Sequence, residues 1–452
     1  MIMMMTYLLA FLAVIGILVT IHEWGHFWVA RRLGVKVLCF SIGFGKPLLQ
    51  WRGKDGTQYQ LGRLPLGGYV KMLGEEAEAV EESEKSQSFS HQSLPHRAAI
   101  VVAGPVANLL LAIGLYWAVF MIGIPGVKPV IGQIEPHSLA AQAGLQSGEQ
   151  IVRINQDLTP TWGEVILALL SATLRDDSVV LETRLNETTY RRTLNMSQAT
   201  GALNGQNLFT VLGFERWQPQ IPARVAEVAK DSRAAQAGFQ AGDFIVAADD
   251  KAIDSWQAWV DYVSKRPEQL IQVRVQRQAV SATLALTPRA VTLKNKAVGQ
   301  AGLLASIPAE IKQQLEAELQ YGMLPALGAA LQRTGEISLL TLRMFGKMVM
   351  GQAALTNISG PISIAQYAGD SASLGIVPFL IFLALVSISL GIINLLPIPL
   401  LDGGHLFYYM VEAIKGSPVS ETALFLGQRL GLSLLLMLMA LAFYNDLVRV
   451  LG

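Results

Sequence analysis

The sequence predicts a polytopic α-helical membrane protein with four transmembrane helices and, outside the membrane, two small duplicated α+β domains. Three observations predict it. The 452 residues are 52% hydrophobic and only 15% charged, whereas soluble chains run near ~25% charged. The charge deficit is concentrated near residues 1–30, 98–127, 371–401 and 430–445. The charged middle of the chain repeats itself: SLAAQAGLQSGEQIVRINQ from Ser138 recurs as SRAAQAGFQAGDFIVAADD from Ser232, 94 residues later. Repetition at that length means duplicated domains rather than a solenoid of short units.

The first span, within residues 1–36, is the apolar run Tyr7 to Val29. It lacks the basic n-region and A-x-A site of a secretory signal, so it reads as a retained helix. The second (98–126) and third (371–404) lie over stretches, 98–127 and 371–401, without a charged side chain; about 20 apolar residues suffice to cross the hydrocarbon core. The fourth (423–445) contains Arg429, whose head can reach water from near an interface. Arg31, Arg32 and Lys36 follow the first span and Arg97 precedes the second, which places that connection in the cytoplasm. The N-terminus and residues 127–370 are then outside, 405–422 form an inner loop, and the chain ends outside.

Within the connections, residues 75–97 form a cytoplasmic loop whose run EEAEAVEESEK has almost nothing to bury and reads as solvated and mobile. The repeats set domains at 127–220 and 221–290. Their shared pattern, a short helix, Ala-Gly-apolar, Gly-Asp/Glu and an apolar strand, looks like PDZ domains of bacterial envelope proteases, folds that bind peptides by adding a strand; peptide termini are the partners this implies. Residues 291–370 are a linker with an amphipathic helix. Between Leu324 and Met350, the charges Arg333, Glu336, Arg343 and Lys347 fall within an arc of roughly 80°. That stripe fits a helix on the outer membrane surface, or one packed on the external domains.

A formal net charge of +1 leaves no basic field for nucleic acid, and that class of partner is excluded. The lone Cys39 cannot form an internal disulfide and reads as a small packed residue.

The chemistry sits in His22-Glu23-Trp24-Gly25-His26. His22 and His26, at i and i+4, share a helix face and can point two imidazoles at one ion, with Glu23 beside them to handle protons. A chance H-E-x-x-H in a chain of this length has odds of roughly one in a hundred. Ionisable residues in an apolar span are costly, and so mark function more often than a polar patch between helices. Catalytic zinc takes three protein ligands and keeps a position for water. His91 and His96 sit in a polar loop and His137 lies outside; the end of the third span, NLLPIPLLDGGH, supplies Asp402 and His405. The first and third spans both run inward, so His22 and Asp402 fall at one membrane depth. Pro397 and Pro399 break that helix, which membranes tolerate where backbone is buried or lines a cavity. Asn394 is placed to hold an unwound substrate strand, or merely to cap the broken helix.

HEWGH, GPVAN at Gly104–Asn108, the PDZ-like repeat and NLLPIPLLDGG together resemble the site-2 protease family of intramembrane metalloproteases, over essentially the whole chain. The resemblance implies zinc held by His22, His26 and Asp402, with Glu23 as catalytic acid/base. It implies that Asn394 and Pro397 handle substrate, with a less defined part for Asn108. Residues 37–74 would be a membrane-associated β region: Gly43, Gly45, Gly67 and Gly68 fit tight turns, and an edge strand there could pair with unwound substrate. The family further implies a bacterial inner-membrane enzyme with periplasmic PDZ domains, in contact with lipid and active near the cytoplasmic side. Its substrate would be a single-span protein of the anti-sigma factor type already trimmed by a first protease, with remnant signal peptides a second class. The paired external domains would exclude untrimmed substrates. The rival readings are a non-catalytic PDZ scaffold and a zinc transporter.

Overall fold

Among the residues it describes, the computed structural model has four helices long and apolar enough to cross a membrane. It describes residues 2–451 apart from 76–79, 156, 174–177, 199–207, 279, 294–295 and 352–359. Part of the acidic run, a stretch of the first repeated domain and part of the linker after the second thus lie outside the described residues. The chain divides into two units, one of Met1–Ile124 with Gln320–Leu451, the other of Pro125–Leu319.

In the first unit the helices are α1 (Ile2–Arg32), α2 (Leu94–Ile122), α3 (Met323–Val349), α4 (Pro361–Leu374), α5 (Ile376–Leu395), α6 (Asp402–Lys415) and α7 (Glu421–Leu451). α1, α2, α5 and α7 carry the apolar spans. α2 is the hub, with α1, α3, α5 and α6 packed against it. The approach of α1 to α2 depends on Gly25, because a Cβ there would fall 2.8 Å from that of Ala107 and closer still to the Ala103 carbonyl. At the far end of the unit α4 is tied twice. Tyr7 Oη donates to Asp370 Oδ1 at 2.6 Å, and the N–H groups of Gly360, Ile362 and Ser363 donate to the carboxylate of Asp446 on α7 at 2.9–3.1 Å.

Several boundaries differ from the sequence expectation. The third apolar stretch is not one helix from 371 to 404. Gly375, at φ 120°, separates α4 from α5, a backbone conformation only glycine adopts freely. α5 then ends at Leu395, ahead of Pro397 and Pro399. The inner loop expected at 405–422 is largely α6, which closes on Gly416 in the left-handed conformation. α3 is amphipathic, but its buried residues Ala326, Ala330, Thr334 and Ile337 pack against α2. The Arg333 guanidinium lies 5.6 Å from the Phe120 ring centre, and Trp117 Nε1 donates to the Met323 carbonyl at 2.9 Å. The described end of the acidic loop is tied down: Lys36 Nζ meets Glu84 Oε1 at 2.5 Å.

Residues 37–74 form an antiparallel pair, β1 (Val37–Arg52) and β2 (Gln58–Met72), that folds back on itself. Residues 39–42 of β1 pair with 58–61 on one side and 68–71 on the other, while 49–52 pair with 58–61. The result is four short segments in the order 49–52, 58–61, 39–42, 68–71, so 68–71 is an edge. The corner in β1 needs Gly43: its φ is 88°, and a Cβ would lie 2.8 Å from the Leu64 carbonyl oxygen.

The second unit holds two sheets of matching order. Asp157–Leu158, Gln150–Ile154, Ser178–Leu185 and Thr188–Asn195 form one; Lys251–Ala252, Phe244–Ala248, Ile271–Arg277 and Val280–Leu286 form the other. Each repeat opens on the same cap, Ser138 Oγ accepting from Ala141 N–H and Ser232 Oγ from Ala235 N–H, both at 3.1 Å. Each has its own core, around Trp162, Leu169 and Leu181 in one and Trp259, Ile271 and Val273 in the other. The second repeat runs past residue 290, because Leu303–Ala305 pairs with Val225–Val228.

Candidate metal centre

One helical turn of α1 brings the rings of His22 and His26 to 4.9 Å between centres, nearly perpendicular. Their Nε2 atoms are 3.3 Å apart. Asp402, the first residue of α6, brings Oδ2 to 3.2 Å from His22 Nε2 and 3.6 Å from His26 Nε2. Its place follows from the break after α5. Leu400 takes a φ of 82°, and a Cβ on Gly404 would lie 2.6 Å from the Ile398 carbonyl oxygen, so the first turn of α6 is pressed against the returning chain.

The three atoms suit a metal. Four ligands in a tetrahedron about zinc, at bond lengths of about 2.0–2.1 Å, sit roughly 3.3 Å from one another, and the three separations observed are edges of such a figure. The protonation pattern agrees. His26 Nδ1 lies 2.8 Å from the Ile100 carbonyl oxygen, which can only accept, so the proton is on Nδ1 and the Nε2 lone pair faces the other two atoms. Asp402 Oδ2 is buried without a hydrogen-bond donor. Two imidazole nitrogens and a carboxylate oxygen converge, a donor set that a cation stabilises. Among the described residues this is the one group of His, Cys, Asp or Glu that could hold a metal.

The ligands open on a cavity of about 590 Å³, whose lining includes Glu23, edge residues Gly68 to Val70, Asn394 and Tyr408. Gly68 is pressed against Glu23, since a Cβ on it would stand 3.0 Å from Glu23 Cγ. The structure thus brings together His22, Glu23, His26, Asp402, Gly68 and Asn394. Pro397 is exposed on the turn and, like Gly43 and Gly67 at the sheet corners, does not line the cavity. Asn108 is fully buried behind His22, its Nδ2 3.2 Å from His22 Nδ1. It faces a ligand rather than the space a substrate would fill, a position that does not suit substrate contact. His405 lines the cavity but stands outside the ligand cluster, and His91 bonds to Ser88 and Ser90 instead. Sequence reasoning missed the Ile100 carbonyl and Gly104. The first has no side-chain signature; the second was visible only as part of GPVAN.

Comparison with known proteins follows the same lines. The profile of Peptidase family M50 matches residues 10–438. A Salmonella typhi protein named regulator of sigma E protease is 43% identical over 446 residues, 98% of each chain. An Escherichia coli protein named regulator of sigma-E protease RseP is 41% identical over 444 residues, again 98% of each. A Vibrio cholerae protein with a zinc metalloprotease description is 42% identical over 448 residues and 98% of each. A solved PDZ domain from Listeria monocytogenes is 21% identical and covers 20% of this chain and 93% of its own, with a TM-score of 0.17.

Proposed function

Because this chain belongs to Peptidase family M50 and is a zinc metalloprotease, we propose that it cuts single-span membrane proteins within their transmembrane segment, acting on substrates of the anti-sigma factor type after a first cut outside. The observation that carries the reading is the convergence of His22 Nε2, His26 Nε2 and Asp402 Oδ2 within 3.2–3.6 Å on a cavity walled by Glu23 and an open sheet edge.

In this reading His22, His26 and Asp402 hold zinc, which, when bound, supplies Lewis acidity toward a water and the scissile carbonyl. Glu23 takes the proton from the attacking water and delivers it to the leaving amine. An unwound substrate adds to the edge 68–71 as a further strand. Gly68 lets that strand pass close to Glu23, and Asn394, at the last turn of α5, holds it from the opposite wall. Gly43 and Gly67 act indirectly, by shaping the corners that put the edge there; Pro397 acts by ending α5. The charge bias around the first two spans puts this site toward the cytoplasmic face of a bacterial inner membrane, and the repeated domains, read as a tandem PDZ pair, on the periplasmic side.

Family membership excludes the scaffold and transporter alternatives. The test uses the purified full chain and a trimmed single-span substrate. His22→Ala should lose both zinc and cleavage, while Glu23→Gln should keep zinc and lose cleavage by ~10²-fold or more. Undiminished cleavage by Glu23→Gln ends the mechanism.

A further inference from the structure

One face of α2 meets every part of the ligand set. Positions 97, 100, 104 and 108 fall within an arc of about 80° at ~100° per residue. The Ile100 carbonyl accepts from His26 Nδ1. Gly104 makes room for both rings, since a Cβ there would lie 2.9 Å from His22 Cε1 and closer still to His26 Nε2. Asn108 reaches His22. Arg97 reaches α6, the helix that begins with Asp402: its Nη2 donates to Glu412 Oε1 at 2.6 Å and its Nη1 to Oε2 at 3.3 Å. The guanidinium also lies 5.0 Å from the Tyr409 ring centre. This pair is mostly shielded, its side chains 16% and 17% exposed, so it is held more firmly than a surface ion pair.

We infer that this face of α2 is the platform that positions the zinc ligands, with Asn108 and Arg97 as its two working side chains. Asn108 fixes the ring of His22. Arg97, through Glu412, fixes the helix that carries Asp402. The inference rests on the ligand assignment proposed above.

The atoms at Asn108 specify its part. When Nε2 of His22 binds a metal, its proton sits on Nδ1, and Nδ1 then needs an acceptor. Asn108 Nδ2 faces that nitrogen at 3.2 Å, while Oδ1 is buried without a partner. Turning the terminal amide by 180° exchanges the two atoms, gives the His22 N–H its acceptor and ends the isolation of Oδ1. Ser387 Oγ, donating to the Asn108 backbone carbonyl at 2.7 Å, holds this turn of α2 against α5. Both side chains are therefore positioning residues, Asn108 through His22 and Arg97 through the helix that carries Asp402.

The experiment is chelator competition on the purified, zinc-loaded full chain, with retained metal measured directly and a melting curve to confirm the fold. Asn108→Leu should weaken zinc retention by ~10–100-fold. Asn108→Asp keeps an acceptor and should restore most of it. Arg97→Ala and Glu412→Ala should each weaken retention, and the exchanged pair Arg97→Glu with Glu412→Arg should recover it. If Asn108→Leu fails to fold, Asn108→Ala takes its place. Loss in Asn108→Asp as large as in Asn108→Leu would overturn the acceptor role. Parent-like retention in both Asn108→Leu and Arg97→Ala, while His22→Ala loses zinc, would overturn the platform alone. Parent-like retention in His22→Ala would instead overturn the ligand assignment beneath it.

Discussion

Two glycines separate holding the metal from using it. An added methyl on Gly104 would press into the imidazoles of His22 and His26, whereas one on Gly68 would press on Glu23 and on Val19 Cγ1, 2.8 Å away. Gly104→Ala should therefore lose zinc, and cleavage with it. Gly68→Ala should keep zinc and cut at least ~10-fold more slowly, since a small displacement of a reacting group is costly. Metal content and cleavage rate, measured side by side, check the pair. At this scale the sequence was most legible where side chains announce themselves: His22 and His26 by their i, i+4 spacing, Asp402 by its depth on a parallel span. It was silent on Ile100, whose contribution is a carbonyl, and it left the part of Asn108 undefined, because the motif gives no hint of the direction the amide faces.

Among the elements, α4 depends on a cap supplied from far along the chain. Asp446 accepts from the N–H groups of Gly360, Ile362 and Ser363 and from Ser363 Oγ at 2.5 Å, satisfying donors that every helix start leaves open. Asp446→Ala should destabilise the protein by ~1–2 kcal/mol, seen as a lower melting temperature in detergent, with zinc content unchanged. Nothing local in GPIS or in the end of α7 reveals this bond, because its partners are more than eighty residues apart. In the second repeat, burial pushes the Asp243 carboxyl up, but hydrogen bonds from Arg277 and the Gln240 N–H, with the Arg277 charge, hold it below the ordinary carboxylate range. Folding thus favours the ionised form. Its stabilisation is present above about pH 4, where the unfolded carboxyl ionises, and is lost as pH falls through the lower folded value. Asp243→Asn should melt earlier than the parent at pH 7, by a few degrees, and the gap should close as the pH is lowered through that range.

For the whole molecule, topology is the property to test. A reporter fused after Ser281 should be active only outside the cytoplasm; cytoplasmic activity would reverse the orientation and place the repeats on the other side. The four spans were readable because lipid demands uncharged stretches, and the duplication because similar strings recur 94 residues apart. The far boundary of the second repeat was not readable. It depends on Leu303–Ala305, a three-residue strand too short to show any periodicity. Likewise, the chain between 371 and 415 looked like one span and a loop. Its division into three helices hinges on the backbone angle at Gly375 and on the proline turn.

The platform on α2 has a mechanical meaning under the proposed function, in which a substrate chain enters from the side. Other walls of the cavity come from the sheet edge and from α7, which contributes Leu424 and Gln428 and is only 6% buried over its most apolar window. Among the described residues, the contacts to Nδ1 of the two imidazoles come from α2. A jig that grips the metal is thereby kept apart from the shutters around it, and the shutters can part without loosening the jig.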